Sequence, residues 1–203
     1  MMGRPTDPAL RDALVHTTVD YVLARPLAEL SLRPLATAIG SSPRMLLYHF
    51  GSKAELVAAV LVEIGVRQRR LIYGWVARGA EHDTRTLLLG AWQWLIAPRH
   101  DRLLRVLFEA YGIALRDRRT HATFLRASSD DWTAPFARAL EREGFSRERS
   151  ATLATLVVAV IRGLVLDVLA TGDRPRNDRA FRSFVAAIEL PARRAPGGSP
   201  RMP

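Results

Sequence analysis

The residues with usable chemistry gather between positions 31 and 53, SLRPLATAIGSSPRMLLYHFGSK. Arg33, Arg44 and Lys53 supply positive charge there, while Ser42, Tyr48 and His49 supply donors and acceptors. Cations and neutral hydrogen-bonding groups suit the recognition of a polyanion better than the making or breaking of bonds. Catalytic signatures are missing from the rest of the chain. It contains no His-Glu-x-x-His, no Gly-x-Gly-x-x-Gly, no phosphate loop and no Gly-x-Ser-x-Gly. His16, His49, His82, His100 and His121 include no pair three or four residues apart, so none can share a helical metal site. With no cysteine there is no thiol catalysis, disulfide framework or Cys-ligated zinc. The sequence therefore predicts neither a metal nor a cofactor, and no enzyme.

Two short helices must position these side chains. Ser31 caps the first, whose inward face is Leu32, Leu35, Ala36 and Ile39, and Gly40 closes it. Ser42 followed by Pro43 starts the second, and Gly51 ends it. Ala36 is small where the helices cross, and Ile39, Leu46 and Phe50 form the plug between them. Arg44, Met45, Leu47, Tyr48 and His49 are then expected on the other faces of the second helix. Two helices joined by a tight glycine-containing turn make a helix-turn-helix, whose second helix fits the major groove of B-DNA. The same pattern also fits an ordinary helical hairpin in an all-α core.

The whole chain reads as helical. Asp7-Pro8 opens a helix over 8–25 with Leu10, Leu14, Thr17 and Tyr21 at helical spacing, and Ser52 to Glu55 reads as a capping box opening a fourth. Further helices are predicted over 84–97, 100–116, 120–143, 146–171 and 177–189, with breaks at Pro98, at Gly144 and from Gly172 to Pro175. Residues 191–203, rich in Pro, Arg and Gly, are expected to form a disordered tail.

Composition agrees with a globular chain. Of 203 residues, 48% are hydrophobic and 25% charged, enough for a full core without staples. Basic residues outnumber acidic ones 30 to 20, yet residues 1–63 are neutral, with six of each. The net charge of +10 is weak evidence for nucleic acid by itself. No apolar segment follows Met1 as in a secretory signal. The one long apolar stretch, 151–170, contains Arg162 and Asp167 and reads as a buried helix instead of a membrane span. The expected location is the cytoplasm, with no membrane partner.

From Thr6 to about Val60 the chain resembles the N-terminal domain of the TetR family of bacterial transcriptional regulators. Ser31, Leu35-Ala36, Ile39-Gly40, Leu46, His49-Phe50, Ser52-Lys53 and Glu55-Leu56 carry the resemblance. It implies a helix-turn-helix domain over 6–53 and a helical effector-binding and dimerisation domain over 54–190. It also implies roles for single residues. Arg33 matches a position that often touches bases or phosphates, and Pro43, Arg44 and Met45 match the base-reading start of the recognition helix, with Ser42 and Tyr48 also in the expected DNA-binding set. His49 and Lys53 match phosphate contacts. One departure stands out: Leu47 occupies the place of a phosphate-binding tyrosine, and Tyr48 follows it.

The resemblance leaves the C-terminal two-thirds open. The segment 146–171 is apolar on nearly all sides and needs cover all round. Leu153, Val157, Val160, Ile161, Leu164 and Val168, with Phe181, Phe184, Val185 and Ile188, are expected at a homodimer interface. Trp75, Trp92, Trp94, Phe108, Tyr111, Phe124, Trp132 and Phe136 are candidate lining for an effector pocket, with His100, His121 and Glu109 as polar groups. Aromatic residues at helical spacing also read as plain core.

These readings predict a regulator that binds a palindromic operator in double-stranded DNA as a homodimer. The family default is a repressor, released by a small apolar or aromatic effector. An effector-independent DNA-binding protein and a helical-bundle enzyme are the alternatives.

Overall fold

The computed structural model describes residues 7–78 and 83–188, apart from the side chains of 28, 68, 71, 72 and 75–78. The expected tail over 191–203 lies outside the described residues. All regular elements among them are helical: α1 Pro8–Leu23, a 3-10 turn Leu27–Glu29, α2 Leu32–Ala38, α3 Pro43–Phe50, α4 Lys53–Arg78, α5 Thr84–Leu95, a 3-10 turn Pro98–His100, α6 Asp101–Arg116, α7 Ala122–Arg142, α8 Arg147–Thr171 and α9 Arg174–Ala187. Packing divides the chain into two compact units. Residues up to 74 join 96–132 in the first, and 75–95 join those from 133 onward in the second. This division by contact differs from the functional boundary expected after 53, because α6 packs on α1 and on the first 3-10 turn.

In the first unit, the Asp7 carboxylate caps α1 by accepting from the N–H groups of Ala9 and Leu10. The buried stripe of α1 is Leu14, Val15, Thr18, Val19 and Val22. Of the expected face through Leu10, Leu14, Thr17 and Tyr21, only Leu14 is buried; Leu10 and Thr17 are exposed and Tyr21 is half-buried. Thr18 can be buried because its hydroxyl donates to the Leu14 carbonyl at 2.6 Å. Between α2 and α3 the chain reverses in a two-bond turn. Gly40 N–H donates to the Thr37 carbonyl and Ser41 N–H to the Ala36 carbonyl, with Gly40 at φ 67°. Leu35, Ala36, Leu46 and Phe50 close the core between these helices, and Ile39 is half-buried.

In the second unit, Ser146 caps α8, and Gly172 at φ 74° ends it. Asp173 immediately caps α9, accepting from the N–H of Arg176. Pro175 therefore sits in the first turn of α9, where no amide donor is needed, and the helix starts at 174 instead of the expected 177. By length and composition α8 could cross a membrane. Here one side packs against α9, burying Ala154, Val157, Val158, Ile161, Val165 and Val168. Its Asp167 is bound by Arg176 and by the Asn177 amide, 2.6 Å away.

Candidate nucleic-acid interface

The helix α3 is held by its ends and its inner side. Ser42 Oγ accepts from the Met45 N–H at 3.1 Å, and Pro43 occupies the first turn. Leu46, His49 and Phe50 face inward. Arg11 of α1 stands 4.9 Å above the Phe50 ring, a cation–π contact that fastens α1 to the end of α3. Gly51, at φ 74°, turns the chain into α4, whose first turn is capped by Ser52 Oγ accepting from Glu55 N–H.

Pro43 is half-buried, and the remaining four residues of α3 face outward. Arg44 is exposed, and Met45, Leu47 and Tyr48 are 42%, 42% and 49% exposed. Arg33 in the first turn of α2 and Lys53 at the start of α4 are exposed as well. Among the described residues these three cations enter no ion pair, whereas Arg67 pairs with Asp20 and Glu63, and Arg69 with Asp131. The unpaired charge of the first unit's helix-turn-helix thus sits beside an outward α3. Arg67 and Arg69, by contrast, brace the unit internally.

His49 departs from expectation. It is 8% exposed, its ring meets Tyr48 edge-on at 5.2 Å, and its Nδ1 has no partner among the described residues. At helical spacing it falls beside Leu46, on the core side of α3, and so does not stand with the outward side chains. Tyr48 does, next to the departure at Leu47.

The aromatic residues expected around an effector are distributed between the units. In the first, Phe108 and Tyr111 are half-buried, and Phe124 and Trp132 are buried. Tyr111 meets Phe124 at 5.4 Å, and its hydroxyl donates to the Ser128 carbonyl. In the second, Phe136 is buried and Trp94 half-buried. Trp92 is core: it is fully buried, stacks on Phe181 at 4.7 Å, and donates from Nε1 to Asp178. The Trp75 side chain lies outside the described residues. Of the polar candidates, Glu109 accepts from the backbone of Leu27, and His121 is buried with no partner for its Nδ1 among the described residues.

Six of the residues expected between two chains are core within one. Val157, Ile161, Val168, Phe181, Val185 and Ile188 are each no more than 8% exposed, because α8 and α9 bury them against each other and their neighbours. Leu153, Val160, Leu164 and Phe184 are half-buried. On the opposite side of α8, Thr152, Leu156, Ala159, Gly163, Leu166 and Ala170 are all exposed. They recur at spacings of four and three residues in alternation.

Solved structures share this arrangement over nearly the whole chain. A TetR transcriptional regulator of Legionella pneumophila is 16% identical and matches 90% of this chain and 97% of its own, at a TM-score of 0.63. The fold is that of TetR-family regulators. A transcriptional regulator of Rhodococcus sp. Rha1 is 19% identical over 87% of this chain and 94% of its own, at a TM-score of 0.70. The multidrug binding protein EbrR, solved with imidazole, is 24% identical over 92% of both chains, at a TM-score of 0.63. No family model and no curated protein sequence matches the chain. In this TetR-type fold, α1 to α3 with the start of α4 form the helix-turn-helix end of the first unit.

Proposed function

We propose that this protein is a sequence-specific DNA-binding transcriptional regulator that reads an operator through α3. The observation that carries the reading is the outward face of α3, with Arg44 at its centre and Arg33 and Lys53 unpaired on the neighbouring helices. Unpaired cations attract phosphate, and a helix presented this way can enter a major groove. Arg33, Ser42, Pro43, Arg44, Met45, Leu47, Tyr48 and Lys53 form the proposed contact set. Regulation in the cytoplasm, with repression as the default output, follows from this role.

A homodimer completes the reading. The uncharged row from Thr152 to Ala170 on α8, with Leu156 and Leu166 about half exposed, has coiled-coil spacing and small residues that allow close approach. A dimer carries two α3 helices, which suits one inverted repeat whose half-sites lie about 34–36 Å apart. A small apolar or aromatic effector is the proposed release signal, supported by the aromatic content of both units and by the imidazole held in EbrR. Selection from a random duplex library tests the reading. It should enrich a near-palindrome whose binding weakens steeply with salt, and sequence-blind binding would refute it.

A further inference from the structure

The outer surface of α3 is only partly explained by attraction to phosphate. At about 100° per residue, its four outward side chains fall in the order Leu47, Arg44, Tyr48, Met45 across roughly 160° of the helix. The polar pair, Arg44 and Tyr48, occupies the middle of the arc, and a large apolar side chain flanks it on each side. Met45 and Leu47 are each 42% exposed, so the fold leaves much of both outside its core. Leu47 has no hydrogen-bonding group and Met45 only a weakly accepting thioether, so neither is suited to the donor and acceptor pattern of a base edge.

One feature of the major groove is apolar: the 5-methyl group of thymine. We infer that Met45 and Leu47 determine operator specificity by packing against thymine methyls on either side of the base that Arg44 contacts. The inference rests on the proposed DNA-reading role of α3 and adds the chemistry of the half-site to it. Double-stranded DNA is the occupant, because the apolar pair brackets Arg44 and falls, in sequence, between the exposed and unpaired cations Arg33 and Lys53. A protein partner for the same face would leave these charges unmatched unless it were acidic. Leu47 then acquires a role of its own at the position where the resemblance implies a phosphate-binding tyrosine: it reads a base where that tyrosine would anchor the backbone. Tyr48, exposed one residue on, shares the outward face with it.

Replacing thymine by deoxyuridine removes the methyl and leaves every hydrogen-bonding group in place, which makes the test specific. The full chain is used to select its operator from a random duplex library, and each thymine in turn is then exchanged for deoxyuridine. Two positions per half-site should each lose about fourfold in affinity per methyl, the equivalent of one buried carbon. Leu47→Ala should abolish the sensitivity at one of these positions and Met45→Ala at the other, with Arg44→Ala abolishing neither. Because both apolar side chains are exposed, the variants should keep the wild-type melting curve; should either fail to fold, the exchange series on the unaltered chain decides alone. An operator indifferent to the exchange, a half-site without thymine, or sensitivity unaltered in both variants would overturn the inference and leave the DNA-binding reading standing. If no operator is enriched, that reading falls, and the inference with it.

Discussion

Glu109 of α6 accepts a hydrogen bond from the backbone N–H of Leu27 at 2.6 Å, joining α6 to the 3-10 turn that leads into the helix-turn-helix. Leu27 is 2% exposed, so its amide has little access to water. Nearby, Arg102 of the same helix donates to the Ala24 carbonyl. Glu109→Ala should therefore destabilise the chain by about 1–3 kcal/mol, the cost of stranding a buried donor of a charge-assisted bond. Glu109→Gln, which keeps an acceptor, should lose less. Urea denaturation measures both, and faster exchange of the Leu27 amide in the alanine variant would locate the effect.

Gly40 and Gly51 bracket α3 in backbone conformations that side chains disfavour. Apart from the adjoining residues, no heavy atom lies within 4 Å of where a Cβ would stand at either position, so crowding by the rest of the fold does not contribute. The cost of substitution is conformational alone, about 1–2 kcal/mol for Ala at Gly40. Asn at Gly40 should cost less than Ala, since it tolerates the left-handed region. Gly51 combines φ 74° with ψ −46°, outside that region, so Asn should give no such relief there. Thermal melts of the four variants separate these outcomes.

The helix-turn-helix is legible because its signals are local. Ser42-Pro43, Gly40 and Gly51 each act within a few residues, and the structure places every one at the helix end it marks. What requires packing is illegible. α8 is apolar nearly all round, so nothing in its periodicity says which side is core; contact with α9 decides it. His49 reads as an outward group by its polarity, yet it shares the inner side of α3 with Leu46 and Phe50. The Arg11–Phe50 contact and the Glu109–Leu27 bond link residues 39 and 82 positions apart and leave no trace in local pattern.

Acid should loosen the join between α8 and α9. The Asn177 amide, followed by the Arg176 guanidinium, donates to Asp167 and lowers its carboxyl below the ordinary aspartate value. A lowered folded value means that the contribution is complete above the unfolded pKa near about 4 and is lost as pH falls through the folded one. Thermal melts across this range should show a shallower acid limb for Asp167→Asn than for the unaltered chain. Identical limbs would mean that Asp167 contributes nothing to the acid dependence.

A charge on α8 should have opposite consequences on its two sides. Val157 is 1% exposed in the single chain, so Val157→Asp buries an unpaired carboxylate and should abolish folding. Leu156, one residue earlier, is 50% exposed, and Leu156→Asp should leave the helical spectrum intact while converting the proposed dimer to monomer. Sedimentation and circular dichroism, measured together, distinguish loss of pairing from loss of fold. A dimeric Leu156→Asp, matched by a dimeric Leu166→Asp, would place the interface elsewhere.

Arg44 and Lys53 should fail in different ways. Arg44 lies at the middle of the outward arc of α3, where a guanidinium can bond two acceptors of one guanine. Arg44→Ala should weaken operator binding by about 1–3 kcal/mol and relax the preference at one base pair per half-site. Lys53 opens α4, where its exposed ammonium suits a phosphate. Lys53→Ala should weaken all sequences alike and reduce the slope of log affinity against log salt by about one unit for each phosphate it no longer neutralises. Binding titrations on operator and scrambled duplexes at several salt concentrations separate the two signatures. If both variants bound both duplexes more weakly in the same proportion, Arg44 would be a second phosphate anchor, and the reading of bases would have to rest on the remaining side chains of α3.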